Sequence, residues 1–226
     1  MSKKFKLACV LFDLDGTLVD TAPDLIACLN NALHIHQLES EDIDSVRPFI
    51  SYGAAAMIKA AVKDDLSESI QADVLITMLD LYQSNIAEYS KLFNGIAETL
   101  ELIERKDIKW GVVTNKRERF TVPLMASLNL THRAACIISG DTTAYAKPHP
   151  EPMLLACVQA GVNPSECIYI GDAHHDIVAG NAAQMQTLVA LYGYLKPTDE
   201  PENWGANALI ASPQQLTSWI DSILCL

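Results

Sequence analysis

Cationic residues are scarce in this chain. Lys and Arg number 16 against 28 Asp and Glu, a formal charge of −12 over 226 residues. A surface of that sign disfavours a broad nucleic-acid or anionic-membrane footprint, while leaving room for a local anion pocket. No apolar run reaches bilayer length, so no membrane partner is expected. The opening MSKKFKLACV lacks the apolar stretch and small-residue cleavage site of a secretory signal. The cysteines Cys9, Cys28, Cys136, Cys157, Cys167 and Cys225 form no C-x-x-C pair and have no histidine at metal-site spacing. Several lie in apolar runs, where a thiol behaves as a small hydrophobe. Reduced, structural cysteines and a cytoplasmic location are therefore expected. Internal repeats and low-complexity tracts are also missing. Half of the residues are hydrophobic, which excludes a disordered polymer and suffices for one large domain, or one domain plus a small one.

Five short apolar segments read as core strands: Lys6 to Phe12, Lys109 to Thr114, Ala135 to Ser139, Cys167 to Ile170 and Gln186 to Ala190. Helical patterns over Ile96 to Arg105, Arg119 to Leu128, Pro150 to Ala160 and His174 to Ala183 separate them. A short strand at Ala208 to Ile210 and a helix at Pro213 to Ile223 close the chain. Alternation at this spacing predicts an α/β fold with a parallel sheet. Residues 21 to 90 contain no convincing strand. They carry helical patterns at Pro23 to His36, Ala54 to Val62 and Glu68 to Ser90, with stripes such as Leu25, Leu29, Leu33 and Leu75, Leu79, Tyr82, Ile86. That is more chain than one crossover needs. It reads either as extra packing helices or as a helical domain, residues 19–90, inserted into a core made of 1–18 and 91–226. Lys91 to Gly95 is the expected return hinge. Tyr194 to Gly205 reads as a surface loop.

Four polar clusters follow strand ends: Asp13 and Asp15; Thr114, Asn115 and Lys116; Lys147; and Asp172 with Asp176. A parallel sheet gathers such ends at one edge, where open α/β sheets bind ligands. Crowded carboxylates repel unless a cation neutralises them. Oxygen-only ligands favour a hard cation, Mg²⁺. A metal, a lysine, a hydroxyl and free backbone N–H groups together suit a phosphate. One carboxylate then serves as nucleophile while a neighbour moves protons.

The segments VLFDLDGTLVD, VVTNK, Lys147 before Pro148, and IGDAHHD resemble, in order and approximate spacing, the four motifs of the haloacid dehalogenase-like phosphatases. The resemblance covers essentially the whole chain. It implies a Rossmann-like parallel core with an inserted helical-bundle cap. Within that superfamily the chain is similar to the phosphoglycolate phosphatase group. YSKLFNGI, WGVVTNK, KPHPEP and YGYLKPTDEPENWGA look more like its branch acting on N-acetylmuramic acid 6-phosphate in cell-wall recycling. The resemblance implies Asp13 as nucleophile and metal ligand, and Asp15 as proton donor with its backbone carbonyl at the metal. It implies Gly16 for a tight turn, and Thr114, Asn115 and Lys147 around the phosphoryl group, with Lys116 near substrate charge. Asp172 is implied as metal ligand, and Asp176 as holder of a metal water or support for Lys147.

Asp15 favours a phosphatase over a dehalogenase, which needs no donor there. The expected partner is a small phosphomonoester, with no nucleic acid, and the chain is expected to be a monomer or weak homodimer. 2-Phosphoglycolate is the rival substrate, although residues 51 to 60 carry no base until Lys59, which favours the larger compound. A phosphosugar mutase and a non-catalytic metabolite-binding protein are the rival classes. His174 and His175 are expected on a surface or loop. A solvated position is expected for His149, and Asp20 is expected as a helix cap or hinge partner. Ser51 to Gly53 reads as a specificity loop or an ordinary turn. The Trp204 loop reads as packed on the core or covering the cleft edge.

Overall fold

The computed structural model describes residues 5–39, 42–62 and 66–224; Cys225 and residues 1–4 of the opening segment lie outside the described residues. The chain begins with β1 (Cys9–Phe12) and β2 (Val19–Asp20). The helices α1 (Ala22–Ile35), α2 (Ile43–Val46), α3 (Ala54–Ala61) and α4 (Glu68–Ser84) follow, with a 3₁₀ turn over Arg47–Tyr52. β3 (Lys91–Leu92) leads back. Then come α5 (Ile96–Arg105), β4 (Lys109–Val113), α6 (Glu118–Ser127), β5 (Ile137–Ile138) and α7 (Glu151–Ala160). The chain closes with β6 (Cys167–Gly171), α8 (His174–Ala182), β7 (Gln186–Ala190), β8 (Ala208–Ile210) and α9 (Pro213–Leu224). Among the described residues no helix is long and apolar enough to cross a membrane.

The core sheet has the order β5-β4-β1-β6-β7-β8, and every neighbouring pair is parallel. β1 is central, with Phe12 level with Val112 on one side and Ile170 on the other. Its alternate residues face opposite helical layers. Val10 and Phe12 pack with Trp110, Ile168 and the α5 and α9 residues Leu100, Ile103, Leu216 and Ile220. Cys9 and Leu11 pack with Tyr169 and with Met153, Ala156 and Ala179 of α7 and α8. Burial on both faces is why these strands read as continuous apolar runs. The register brings the first residues beyond β1, β4 and β6 to one edge.

Helices α1, α3 and α4 enclose a separate apolar cluster that includes Leu25, Leu29, Leu33, Met57, Val74, Met78 and Tyr82. The α4 stripe is rotated from the expected one. Val74, Met78 and Tyr82 are fully buried, whereas Leu75 and Leu79 are only partly covered. The helical insertion leaves and rejoins the core through a two-residue antiparallel ribbon, Val19 opposite Leu92 and Asp20 opposite Lys91. Strands this short carry no readable period, and neither ribbon strand was expected; α2 and the 3₁₀ turn were not expected either. β1 starts at Cys9 rather than Lys6, and the strand expected over 135–139 contracts to two residues at the sheet edge.

The helix expected over 68–90 stops at Ser84, and Ala87 adopts a φ of 62°. The cause lies in α1. Buried Asp24 accepts from the backbone N–H groups of Tyr89 and Ser90, each at 2.8 Å, and draws that backbone out of helical geometry. Asp24→Ala orphans these donors. It is expected to cost about 2–3 kcal/mol and to lower the thermal midpoint by roughly 5–10 °C. Scanning calorimetry of the two proteins checks this.

Candidate active site

Asp13 is the first residue beyond β1, and its N–H still donates to Ile170 O at 2.8 Å, so the sheet ladder places it. Lys147 reaches it from the loop between β5 and α7. The Lys147 ammonium is fully buried and contacts Asp13 Oδ1 at 2.8 Å, Asp176 Oδ1 at 2.7 Å, Val113 O at 3.0 Å and Tyr169 Oη at 2.8 Å. Burial opposes its charge, but Asp13 and Asp176 outweigh that and raise its pKa above the ordinary lysine value. The Asn115 side chain clamps the backbone that carries Lys147. Its Oδ1 accepts from Lys147 N at 3.0 Å, and its Nδ2 donates to Lys147 O at 3.1 Å.

Asp176 sits in the first turn of α8. One oxygen meets Lys147, and the other accepts from Ala173 N at 3.0 Å, capping the helix. Burial would raise its pKa, but Lys147 and His175 hold it lowered. Both oxygens are thus committed to protein partners, which matches support of Lys147 more closely than direct ligation of a metal. Asp172 follows β6. It accepts from Ser51 Oγ at 2.7 Å, Tyr194 N at 2.8 Å and Thr17 Oγ1 at 3.2 Å, and among the described residues no cationic side chain pairs with it.

Burial pushes the Asp172 carboxyl up to about 8, reinforced by Asp13 and Asp176. Burial likewise raises Asp13 to about 6, against the pull of Lys147. Asp13, Asp172 and Asp176 each offer an oxygen within 4.8 Å of the others, the one such metal-ligand cluster among the described residues. Two buried carboxyls raised toward neutrality, in an all-oxygen set, fit a divalent hard cation such as Mg²⁺.

Asp15 lies apart from this cluster. Its carboxylate accepts from Thr21 Oγ1 at 2.6 Å and pairs with Lys116 Nζ at 3.0 Å. Lys116 therefore has a partner already, and its ammonium also lies 4.5 Å from the ring centroid of Tyr82, a residue of α4. Thr114 is buried beyond β4, and its Oγ1 accepts from Lys116 N at 3.2 Å. Gly16 has a φ of 81°, and a Cβ there would lie 2.3 Å from Asp172 Oδ2. Gly193 crowds the same side chain, since its Cβ would lie 2.3 Å from Asp172 Cβ.

Three participants escaped the sequence reading. Ser51, in the 3₁₀ turn of the insertion, reaches Asp172 directly, so its segment is more than an interhelical turn. Tyr194 was assigned to a surface loop but is buried. Its N–H holds Asp172, its hydroxyl donates to Asp20 at 2.7 Å, and that oxygen accepts from Thr21 N at 2.8 Å. Asp20 also pairs with Arg47 at 3.3 Å, a partner at the insertion's hinge. His175, expected on a surface, lines the cleft beside Tyr52, and burial lowers its pKa. His174 is exposed and meets the Trp204 ring, so that loop packs on the start of α8. His149 accepts from Glu151 N at 3.2 Å, away from the acids. Only the position of Gly193 in YGYLKP hinted at close packing there.

A cavity of about 600 Å³ opens above the acids. Asp13, Asp15, Thr114, Asn115 and Lys116 line its floor, and Leu25, Ile50, Met57, Leu75, Leu79 and Tyr82 of the insertion line its roof.

The model of the haloacid dehalogenase-like hydrolase family matches residues 10–190. An N-acetylmuramic acid 6-phosphate phosphatase of Pseudomonas putida is 42% identical over 220 residues, covering 97% of this chain and 99% of the relative. A phosphoglycolate phosphatase of Xanthomonas campestris is 38% identical over 207 residues, covering 92% and 93%. The crystal structure of a "predicted phosphoglycolate phosphatase" from Haemophilus somnus superposes with a TM-score of 0.83 at 26% identity, covering 97% of this chain and all of that one. With Asp13 and Asp172 placed for Mg²⁺ in a buried cluster completed by Asp176, the chain belongs to the haloacid dehalogenase-like hydrolases, in the phosphoglycolate phosphatase-like group, and is a Mg²⁺-dependent phosphatase.

Proposed function

We propose that this protein removes phosphate from N-acetylmuramic acid 6-phosphate through an aspartyl-phosphate on Asp13. The observation that carries the chemistry is Asp13 itself. One of its oxygens is pinned by Lys147 at the floor of the cleft, and no side-chain hydrogen bond from the described residues engages the other. The free oxygen attacks phosphorus, and the ester oxygen departs in line and takes a proton from Asp15. Thr21 and Lys116 hold the Asp15 carboxylate in the cleft wall; the donor is its protonated form, so Asp15 takes up a proton and parts from Lys116 before the ester oxygen departs. Asp15 then accepts a proton from the water that cleaves the aspartyl-phosphate, which returns Asp13 and releases inorganic phosphate. Lys147 balances charge on the phosphoryl group and keeps Asp13 aimed, and Asp176 and Tyr169 fix Lys147. Thr114 and the Asn115 N–H receive phosphoryl oxygens. Asp13, Asp172 and the Asp15 carbonyl would hold Mg²⁺, which would neutralise charge on the phosphoryl group.

The size and lining of the cleft support the larger substrate. A two-carbon acid leaves most of about 600 Å³ empty, whereas an N-acetylated amino sugar presents methyl groups to Leu25, Met57 and Leu79. Relatives bearing both substrate names cover most of the chain, so 2-phosphoglycolate remains the comparison compound. In this reading residues 19–90 form the cap over a core of 1–18 and 91–226. The β2–β3 ribbon and the separate apolar cluster of α1, α3 and α4 support that division. The enzyme works in the cytoplasm, as a monomer or weak homodimer.

Asp13→Asn is expected to lower phosphate release at least about 10³-fold with the fold retained, as circular dichroism checks. Colorimetric phosphate assays on N-acetylmuramic acid 6-phosphate and 2-phosphoglycolate, run side by side with Mg²⁺, test both chemistry and substrate. Isomerised phosphosugar without free phosphate would instead mark a mutase. Asp172→Asn is expected to raise the melting temperature of chelator-treated protein at pH 7, because a carboxyl titrating near 8 costs stability there. The same change is expected to abolish the Mg²⁺-induced rise seen in the parent protein. Differential scanning fluorimetry reads both.

A further inference from the structure

The mechanism leaves three side chains of the cleft without a task. Arg117 and Arg119 line the cavity and are exposed, and neither makes a hydrogen bond or ion pair among the described residues. Lys116, the cation between Asn115 and this pair, is neutralised by Asp15. Two uncommitted guanidiniums stand out in a chain with 28 acids against 16 Lys and Arg. The third side chain is Tyr82, which also lines the cavity. It is almost wholly buried, the Lys116 ammonium lies over its ring, and among the described residues no group meets its hydroxyl in hydrogen-bond geometry. A buried unpaired hydroxyl carries a desolvation cost that a ligand can relieve.

Arg119 and Tyr82 are joined through a ring, and Arg117 lines the same cavity. The Arg119 guanidinium lies 4.5 Å over the Phe120 ring, and Phe120 meets the Tyr82 ring at 5.4 Å, so this wall runs from the core across to the insertion. Phosphate already has Lys147 and Thr114 on the floor. The planar guanidinium fork suits a carboxylate, and the ring beneath Arg119 holds that fork in place. The apolar roof beside it suits a body that carries the acid on a small alkyl arm.

We infer that Arg117 and Arg119 read a substrate carboxylate separate from the phosphoryl group, with the Tyr82 hydroxyl bonding an adjacent polar group. The inference rests on the substrate reading proposed above and names the residues that would impose it.

The test compares N-acetylmuramic acid 6-phosphate with N-acetylglucosamine 6-phosphate, which lacks only the lactyl acid, in the parent protein, Arg117→Gln, Arg119→Gln and Tyr82→Phe. The parent protein is expected to favour the acid at least tenfold in kcat/KM. The Arg variants are expected to erase that preference through KM, and Arg119→Lys is expected to restore it only in part. Tyr82→Phe is expected to raise KM while melting no lower than the parent, because the hydroxyl has no partner to lose. Equal losses on both sugars in the Arg variants overturn the carboxylate site and leave the substrate reading intact. If neither sugar is hydrolysed but 2-phosphoglycolate is, the substrate reading falls. The site is then scored on 2-phosphoglycolate against ethyl phosphate, and an unchanged ratio in the Arg variants overturns it.

Discussion

The ammonium of Lys147, sealed between Asp13 and Asp176, is the contact on which the edge of the sheet depends. Three buried carboxyls crowd a few ångströms of space, and without a positive charge among them their mutual repulsion and lost hydration would exceed what the surrounding packing can offset. One lysine settles two of the three. Asp176 is held ionised, Asp13 is held aimed, and the field is left strongest at Asp172. The division of labour among chemically identical side chains therefore follows from which ones the lysine can reach. Tyr169 and the carbonyl of Val113 complete its shell, so the strands themselves hold the cation in place.

The insertion is coupled to this edge by polar contacts and by an apolar seam. Its interior takes in Phe120 and Tyr194 of the core, and Ser51 reaches Asp172 directly. Tyr194 works from the other side, joining Asp172 to Asp20 and to the start of α1. Lys196 over the Tyr52 ring, 3.4 Å from its centroid, adds a further tie between the loop after β7 and the 3₁₀ turn.

Much of this could be read from the chain alone because it rests on local rules. The six strands of the core sheet announce themselves as short apolar runs and most helices by period, and Asp13, Thr114 and Asp172 are placed by the parallel ladder that follows from strand–helix alternation. What stayed hidden depends on contacts between distant segments. Nothing near residue 24 shows that its carboxylate will end α4, and nothing near Ser51 shows that it will reach the end of β6. Lys116 looks like a phosphate ligand by proximity in sequence, yet the fold gives it to Asp15. Tyr194 looks like the start of a loop because its partners, Asp20 and Thr21, come from the opposite end of the chain.

Gly16 and Gly193 press on Asp172 from two directions, and a Cβ on either would lie 2.3 Å from an atom of its side chain. The consequence is that this carboxyl keeps its seat only while two distant positions stay bare. A methyl group at either would have to displace the acid or shift the turn that carries it, so the aim of one side chain is set by what two others lack.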